Sequence, residues 1–158
     1  MKQIRKLCIA LLILGIIIIG CSQGTVPSND KNKAAIDGNK ITVFKSPNCG
    51  CCVGYVAELE KHGFDVEIIE TTDMHSIKQK YKIPRSMESC HTAVIGDYFI
   101  EGHVPIEAVN KLLEENPEID GITLPRMPAG SPGMPGIKKA PVKVYALSDG
   151  EASEFTTI

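Results

Sequence analysis

Three thiols within four residues, Cys49-Gly50-Cys51-Cys52, constrain this chain more than any other stretch. They follow Ser46-Pro47-Asn48, after an apolar run ending at Phe44, and lead into a helical pattern starting near Cys52. That order predicts a strand, a tight turn and the start of a helix. A helix N-terminus offers unpaired N–H groups and a partial positive charge, and both favour thiolate over thiol. Cys49 and Cys52 make a C-x-x-C pair. An ordinary redox pair has no need of the third thiol, Cys51, whereas a soft metal ion does.

The flanking patterns extend this unit. Ile41 to Phe44 is expected as a first strand, and Val53, Tyr55, Val56 and Leu59 recur at helical spacing as far as His62-Gly63. Gly63 suits a left-handed position after the helix, with Phe64 as the apolar contact that accompanies it. Val66 to Ile69 forms a second strand, so strand–helix–strand implies a right-handed crossover and a parallel pair. Thr72 or Asp73 caps a short helix carrying Met74, Ile77 and Tyr81, which stops before Pro84. Thr92 to Ile95, a Gly96-Asp97 turn and Tyr98 to Glu101 make a β-hairpin. Pro105 then opens a helix with Ile106, Val109, Leu112 and Leu113 on its buried face, up to Asn116-Pro117. The order β-α-β-α-β-β-α is that of a thioredoxin-like domain over residues 40–116, an α/β fold with a mixed (α+β) sheet. Residues 117–158 are expected to pack on that core as a Pro/Gly-rich loop to Pro141 and a terminal hairpin of Val142–Leu147 and Ala152–Thr157.

At the N-terminus, Lys2, Arg5 and Lys6 precede an apolar run from Leu7 to Ile19. That run has the length of a signal-peptide core and is short for a membrane span. Ile18-Ile19-Gly20-Cys21 resembles a bacterial lipobox. Residues 1–20 are therefore expected to be a signal peptide, Cys21 to carry lipid, and residues 21–39 to form a flexible tether. An uncleaved anchor is the alternative, and both place the chain in the bacterial envelope on the periplasmic side, membrane-anchored.

The cysteine count follows. Of six cysteines, Cys8 leaves with the signal and Cys21 is lipidated, so Cys49, Cys51, Cys52 and Cys90 remain. An oxidising compartment makes two disulfides the plain expectation. Adjacent Cα atoms stand about 3.8 Å apart, below the roughly 4.4 Å of ordinary disulfides, which disfavours Cys51–Cys52. The chain has 17 basic and 19 acidic side chains; losing Lys2, Arg5 and Lys6 leaves 14 against 19, a charge of −5. With aromatic residues at 5%, neither a basic nucleic-acid surface nor a base-stacking platform is present.

In a thioredoxin-like topology the third strand runs antiparallel to the first, so Cys90-His91-Thr92 begins at the same end as the cysteine turn. The fourth strand returns to that end at Gly102-His103. Four thiols and two imidazoles are thus expected together. Neighbours on a strand point to opposite faces, so Cys90 and His91 compete for the site unless the backbone is irregular there. His62, in a last helical turn where an imidazolium favours the dipole, is expected to have no ligand role, and His75 to be a solvated helix residue. Met127 and Met134, in Arg126-Met127-Pro128-Ala129-Gly130-Ser131-Pro132-Gly133-Met134, are off core-helix spacing. Thioethers there suit Cu(I), with gap-filling in a core as the alternative.

Four thiolates select among Cu(I), Zn(II) and an iron–sulfur cluster. Zinc favours two separated pairs, whereas Cys51 and Cys52 are contiguous and Cys90 stands alone. Cu(I) accepts two or three ligands and lets sulfurs bridge, and several such ions neutralise four thiolate charges. The residues favour copper and leave iron–sulfur open.

Four motifs in order carry a resemblance: Ser46-Pro47-Asn48-Cys49-Gly50-Cys51-Cys52, Ser89-Cys90-His91-Thr92-Ala93-Val94, Glu101-Gly102-His103-Val104-Pro105, and Pro128-Ala129-Gly130-Ser131-Pro132-Gly133-Met134. From about Ile41 to the C-terminus the chain resembles the CopG family, also described as a domain-of-unknown-function family of metal-binding proteins. The resemblance implies a thioredoxin-like fold in the periplasm or envelope and a role in copper resistance beside other copper-resistance proteins. It also implies a polynuclear copper cluster bridged by Cys49, Cys51, Cys52 and Cys90, with Cu(I)/Cu(II) redox activity. The lipobox departs from the soluble members. Two readings of other classes stand beside this one. The first is a thiol–disulfide oxidoreductase with Cys49 as nucleophile and Cys52 as resolving thiol. Against it, Cys90 stands where such reductases place a cis-proline. The second is a four-cysteine iron–sulfur electron carrier.

Overall fold

The computed structural model describes residues 39–158. The expected signal peptide, Cys21 and nearly all of the tether lie outside the described residues. The elements run β1 (Lys40–Lys45), α1 (Gly50–Lys61), β2 (Asp65–Glu70), α2 (Met74–Lys80), a 3-10 turn (Arg85–Met87), β3 (His91–Ile95), β4 (Tyr98–Glu101), α3 (Ile106–Glu115), β5 (Gly121–Thr123), β6 (Lys143–Ser148) and β7 (Glu151–Thr157). One mixed sheet takes the order β2-β1-β3-β4-β5-β6-β7.

The expected thioredoxin-like arrangement is the first half of that sheet. β1 pairs parallel with β2, antiparallel with β3, and β3 pairs antiparallel with β4. Strand alternation sorts the side chains. Ile41, Val43, Ala93, Ile95, Tyr98 and Ile100 meet Tyr55, Val56 and Leu59 of α1 and Val109 and Leu112 of α3 in the main core. On the opposite face Phe99 and Leu147 pack with Ile83 in a smaller cluster.

Helix ends follow local chemistry. Asp73 accepts a hydrogen bond from the Ser76 N–H at 3.0 Å and caps α2. At the end of α1, Gly63 takes φ +87°, the Gly63 N–H donates to Glu60 and the Phe64 N–H to Leu59. This pair of bonds is the Schellman arrangement, with Phe64 tucked into the core. Pro105 precedes the first turn of α3 instead of opening it, and Asn116 ends that helix at φ +47°.

Three features depart from expectation. The stretch after Pro117 is not all loop: Gly121–Thr123 pairs parallel with β4 and antiparallel with β6, joining the terminal hairpin to the sheet. Val53 is 58% exposed, because the buried stripe of α1 is Cys52, Tyr55, Val56 and Leu59. Lys78, not an apolar residue, is the buried position of α2. Among the described residues no helix is long and apolar enough to cross a membrane.

Candidate metal centre

The cysteine turn sits where β1 hands over to α1. The Cys49 N–H donates to the Ser46 carbonyl at 3.0 Å, closing the turn. Cys49 occupies the N-cap position, and no acidic side chain lies in the first turn of α1. The positive end of the helix therefore faces the sulfurs without a carboxylate to neutralise it. Cys52 is fully buried, whereas Cys49 and Cys51 are half-buried.

Two disulfides are the plain expectation; among the described residues one is present, Cys49–Cys52, with Cα atoms 5.4 Å apart. Cys51 and Cys90 are free. Cys51 Sγ stands 3.6 Å from Cys49 Sγ and 3.9 Å from Cys90 Sγ, and Cys52 Sγ lies 3.9 Å from the Cys90 carbonyl oxygen. All four sulfurs lie within 4.8 Å of one another. Burial, with Cys51 alongside, pushes the Cys90 thiol up to about 12. A proton is thus held where a cation would displace it.

The two histidines reach the same sulfur. Cys90 precedes β3 and lies outside the ladder, so the alternation that would send Cys90 and His91 apart does not apply. His91 Nδ1 stands 3.3 Å and His103 Nε2 3.1 Å from Cys90 Sγ. Both rings are fully buried. Burial, then the neighbouring His103 and Lys78, hold His91 down to about 3. Burial also lowers His103, against the upward pull of its bond to the Pro132 carbonyl. Both imidazoles are therefore neutral and suited to metal. Tyr55 packs its ring 4.6 Å from that of His91 and 5.6 Å from that of His103, while its hydroxyl donates to the Val104 carbonyl. Its hydroxyl pKa is raised by burial.

The loop after β5 closes one side. His103 Nδ1 stands 2.7 Å from the Pro132 carbonyl oxygen. Next to it Gly133, at φ +74°, lies so close to α1 that a Cβ on it would stand 2.3 Å from the Tyr55 nitrogen. Met134 is half-buried beside this contact, its N–H donating to the Ser131 carbonyl at 2.8 Å. Met127 is 48% exposed and lines a separate cavity with Leu124, Ile137, Pro141 and Tyr145. His62 and His75 are exposed, His62 facing Glu58 at 3.1 Å.

Behind Cys90 lies a group not foreseen as part of the site. Glu101, fully buried, accepts from the Ser89 N–H at 2.5 Å and the Thr92 hydroxyl at 2.6 Å, and pairs with Lys78. Burial raises its carboxyl, and Lys78, Thr92 and Ser89 oppose that rise. Its donors flank Cys90-His91 on both sides. The available signals were a carboxylate ending an apolar strand and a lysine inside the stripe Met74, Ile77, Tyr81.

The donor chemistry suits a soft cation. Opening Cys49–Cys52 leaves four thiols in mutual reach, with two neutral imidazoles against one of them, and a soft cation would displace their protons.

Comparison with known proteins agrees in outline. Residues 87–134 match the family described as protein of unknown function, DUF411. The chain is similar to the solved structure of copper resistance protein CopG, Form 1, at 39% identity, covering 77% of this chain and 98% of that one, TM-score 0.71. Form 2 of the same protein matches at 40% identity over 75% and 97%, TM-score 0.70. No curated protein matches by sequence.

Proposed function

The chain belongs to the CopG copper-resistance family, and from that premise we propose that it binds Cu(I) in a cysteine-thiolate cluster of more than one ion, for copper resistance. The observation that carries this is the meeting of Cys49, Cys51 and Cys52 with the distant Cys90, four sulfurs within 4.8 Å. Thiolates so crowded share ions more readily than they enclose one. The α1 N-terminus favours thiolate, the form that binds copper, on the cysteine turn, whereas Cys90 gives up a firmly held proton on binding, so copper uptake releases protons. His91 and His103 reach Cys90 Sγ, and in this reading Met134, on the loop that carries Pro132, lends a thioether. In this reading the cysteines hold Cu(I), and exchange with Cu(II) would draw on the same sulfurs and imidazoles.

The test is a Cu(I) titration of reduced, anaerobic protein against a competing chelator. More than one copper per chain is expected, reduced to one or none in Cys90→Ser. A fully reduced chain that takes up no copper overturns the reading. Iron with acid-labile sulfide in the protein as isolated supports the iron–sulfur alternative instead.

One observation favours a second reading: Cys49–Cys52 is closed as a disulfide at a helix N-terminus, as in a thiol–disulfide oxidoreductase. Insulin-disulfide reduction by metal-free protein, lost in Cys49→Ser and kept in Cys51→Ser, would support it. Crowding by Cys51 and Cys90 places it second. The reading also includes anchoring through a lipidated Cys21 on the periplasmic side. Fatty-acid labelling that persists in Cys21→Ser would refute that part.

A further inference from the structure

Cys90 belongs to two donor groups at once. Cys51, Cys49 and Cys52 stand on one side; on the other, Cys90 Sγ, His91 and His103 form a second set of donor atoms within 4.8 Å of one another. The second set uses none of the sulfurs from the cysteine turn.

A carbonyl oxygen only accepts, so His103 Nδ1, 2.7 Å from the Pro132 carbonyl, carries the ring hydrogen and Nε2 turns its lone pair toward Cys90. A ring N–H held by a backbone carbonyl, with the opposite nitrogen free, is how ligating histidines are oriented. His91 presents Nδ1 to the same sulfur, and its buried Nε2 has no hydrogen-bond partner. That Nε2 stays unmatched in either tautomer, whereas the Cys90 sulfur can accept from His91 Nδ1–H while its own hydrogen goes to His103 Nε2. A cation in place of the thiol hydrogen would take the lone pairs of Cys90 Sγ, of His103 Nε2 and, with the ring hydrogen on Nε2, of His91 Nδ1.

Resting on the copper reading above, we propose that the chain has two copper modes selected by the Cys49–Cys52 pair. With the disulfide closed, Cys90, His91 and His103 hold a single copper ion through one sulfur and two nitrogens. With it open, four thiolates are available and the polynuclear mode takes over, sharing Cys90. A two-histidine, one-cysteine set is a donor combination that copper accepts as a single ion. Opening the pair consumes two electrons and two protons, which a dithiol supplies as it closes its own disulfide.

The experiment uses the full chain with Cys51→Ser, so that with Cys49–Cys52 closed Cys90 is the lone thiol of the site. Anaerobic Cu(I) titration against a chelator should find one copper there. Its X-ray absorption should fit two nitrogens per sulfur, and His91→Ala or His103→Ala should lower its affinity about tenfold or more. The unsubstituted chain, reduced with a small dithiol, should take more than one copper in a sulfur-dominated shell. If the reduced chain takes copper and the oxidised Cys51→Ser form takes none, or holds it in a shell without nitrogen, the two-mode inference fails while the copper reading stands. If the reduced chain takes none, the copper reading itself fails. Should a histidine variant not fold, the nitrogen-to-sulfur ratio in the protein with both histidines decides.

Discussion

Gly54→Ala sets two effects of opposite sign against each other. Gly54 lies inside α1, three residues after Cys51. In a helix interior, alanine is favoured over glycine by about 0.8–1.0 kcal/mol. A Cβ at Gly54, however, would stand 2.8 Å from the Gly133 carbonyl oxygen and 3.0 Å from its Cα. Those are backbone atoms and cannot rotate aside. Restoring an ordinary contact of 3.4 Å moves the loop by about 0.6 Å. The neighbouring Pro132 carbonyl, 2.7 Å from His103 Nδ1, moves with it. Losing that bond costs about 1 kcal/mol, and leaving a buried N–H unmatched costs roughly 1–3 more. The loss wins: a net of about 1–3 kcal/mol, or a Tm lower by roughly 3–15 °C for a domain of this size. Calorimetry on the reduced, metal-free protein reads the first effect, and trypsin cleavage at Arg126 and Lys138 reads release of the loop. Gly50→Ala is the control, since nothing lies within 4 Å of a Cβ there and its Tm should hold or rise slightly. If Gly54→Ala raises Tm like the control and trypsin cleavage is unchanged, the packing of the loop on α1 is wrong.

Three other predictions follow from the site. Glu101→Gln leaves Lys78 buried without its counter-charge and should destabilise the chain by about 3–5 kcal/mol. Replacing both with Lys78→Met and Glu101→Leu should recover most stability by denaturant unfolding. Copper affinity should stay about 10–100-fold low, because the Ser89 and Thr92 anchors beside Cys90 are gone; full affinity in the double variant would dismiss Glu101 as a positioning residue. Acid should weaken the metal-free fold through His91. Its ordinary value is 6.5 and its folded value about 3, so the unfolded chain binds more protons between them. Stability then falls as pH drops below 6.5, by up to about 1.4 kcal/mol per pH unit from this residue, and is insensitive to it above; His103, also lowered, adds in the same direction. A flat urea midpoint from pH 7 to 5 contradicts this. Met134→Ala should speed copper loss to a chelator, whereas Met127→Ala, in the separate cavity, should not; equal effects would place both or neither at the site.

Much of the fold was legible because it is written in near neighbours. Gly63 and Phe64 end α1 through bonds reaching back no further than Leu59, and Asp73 caps α2 through Ser76 three residues on. Strand directions followed from crossover rules, so Cys90 and His103 could be brought to the cysteine turn before any coordinates. β5 was not legible: three residues have no measurable period, and Gly121–Thr123 is a strand only because β4 and β6 supply partners on both sides. Val53 was misplaced for a related reason, as helical spacing gives a stripe but the facing core chooses its centre.

The chain's order of residues determined the cysteine turn, the helix behind it and the end of the sheet at which the thiols gather, since each depends on local periodicity and on handed connections. Tertiary structure alone decided that both imidazoles turn toward Cys90 and that Lys78 and Glu101 stand behind it. Those outcomes depend on distances of a few tenths of an ångström between segments far apart in sequence, and on which buried polar atom finds a partner.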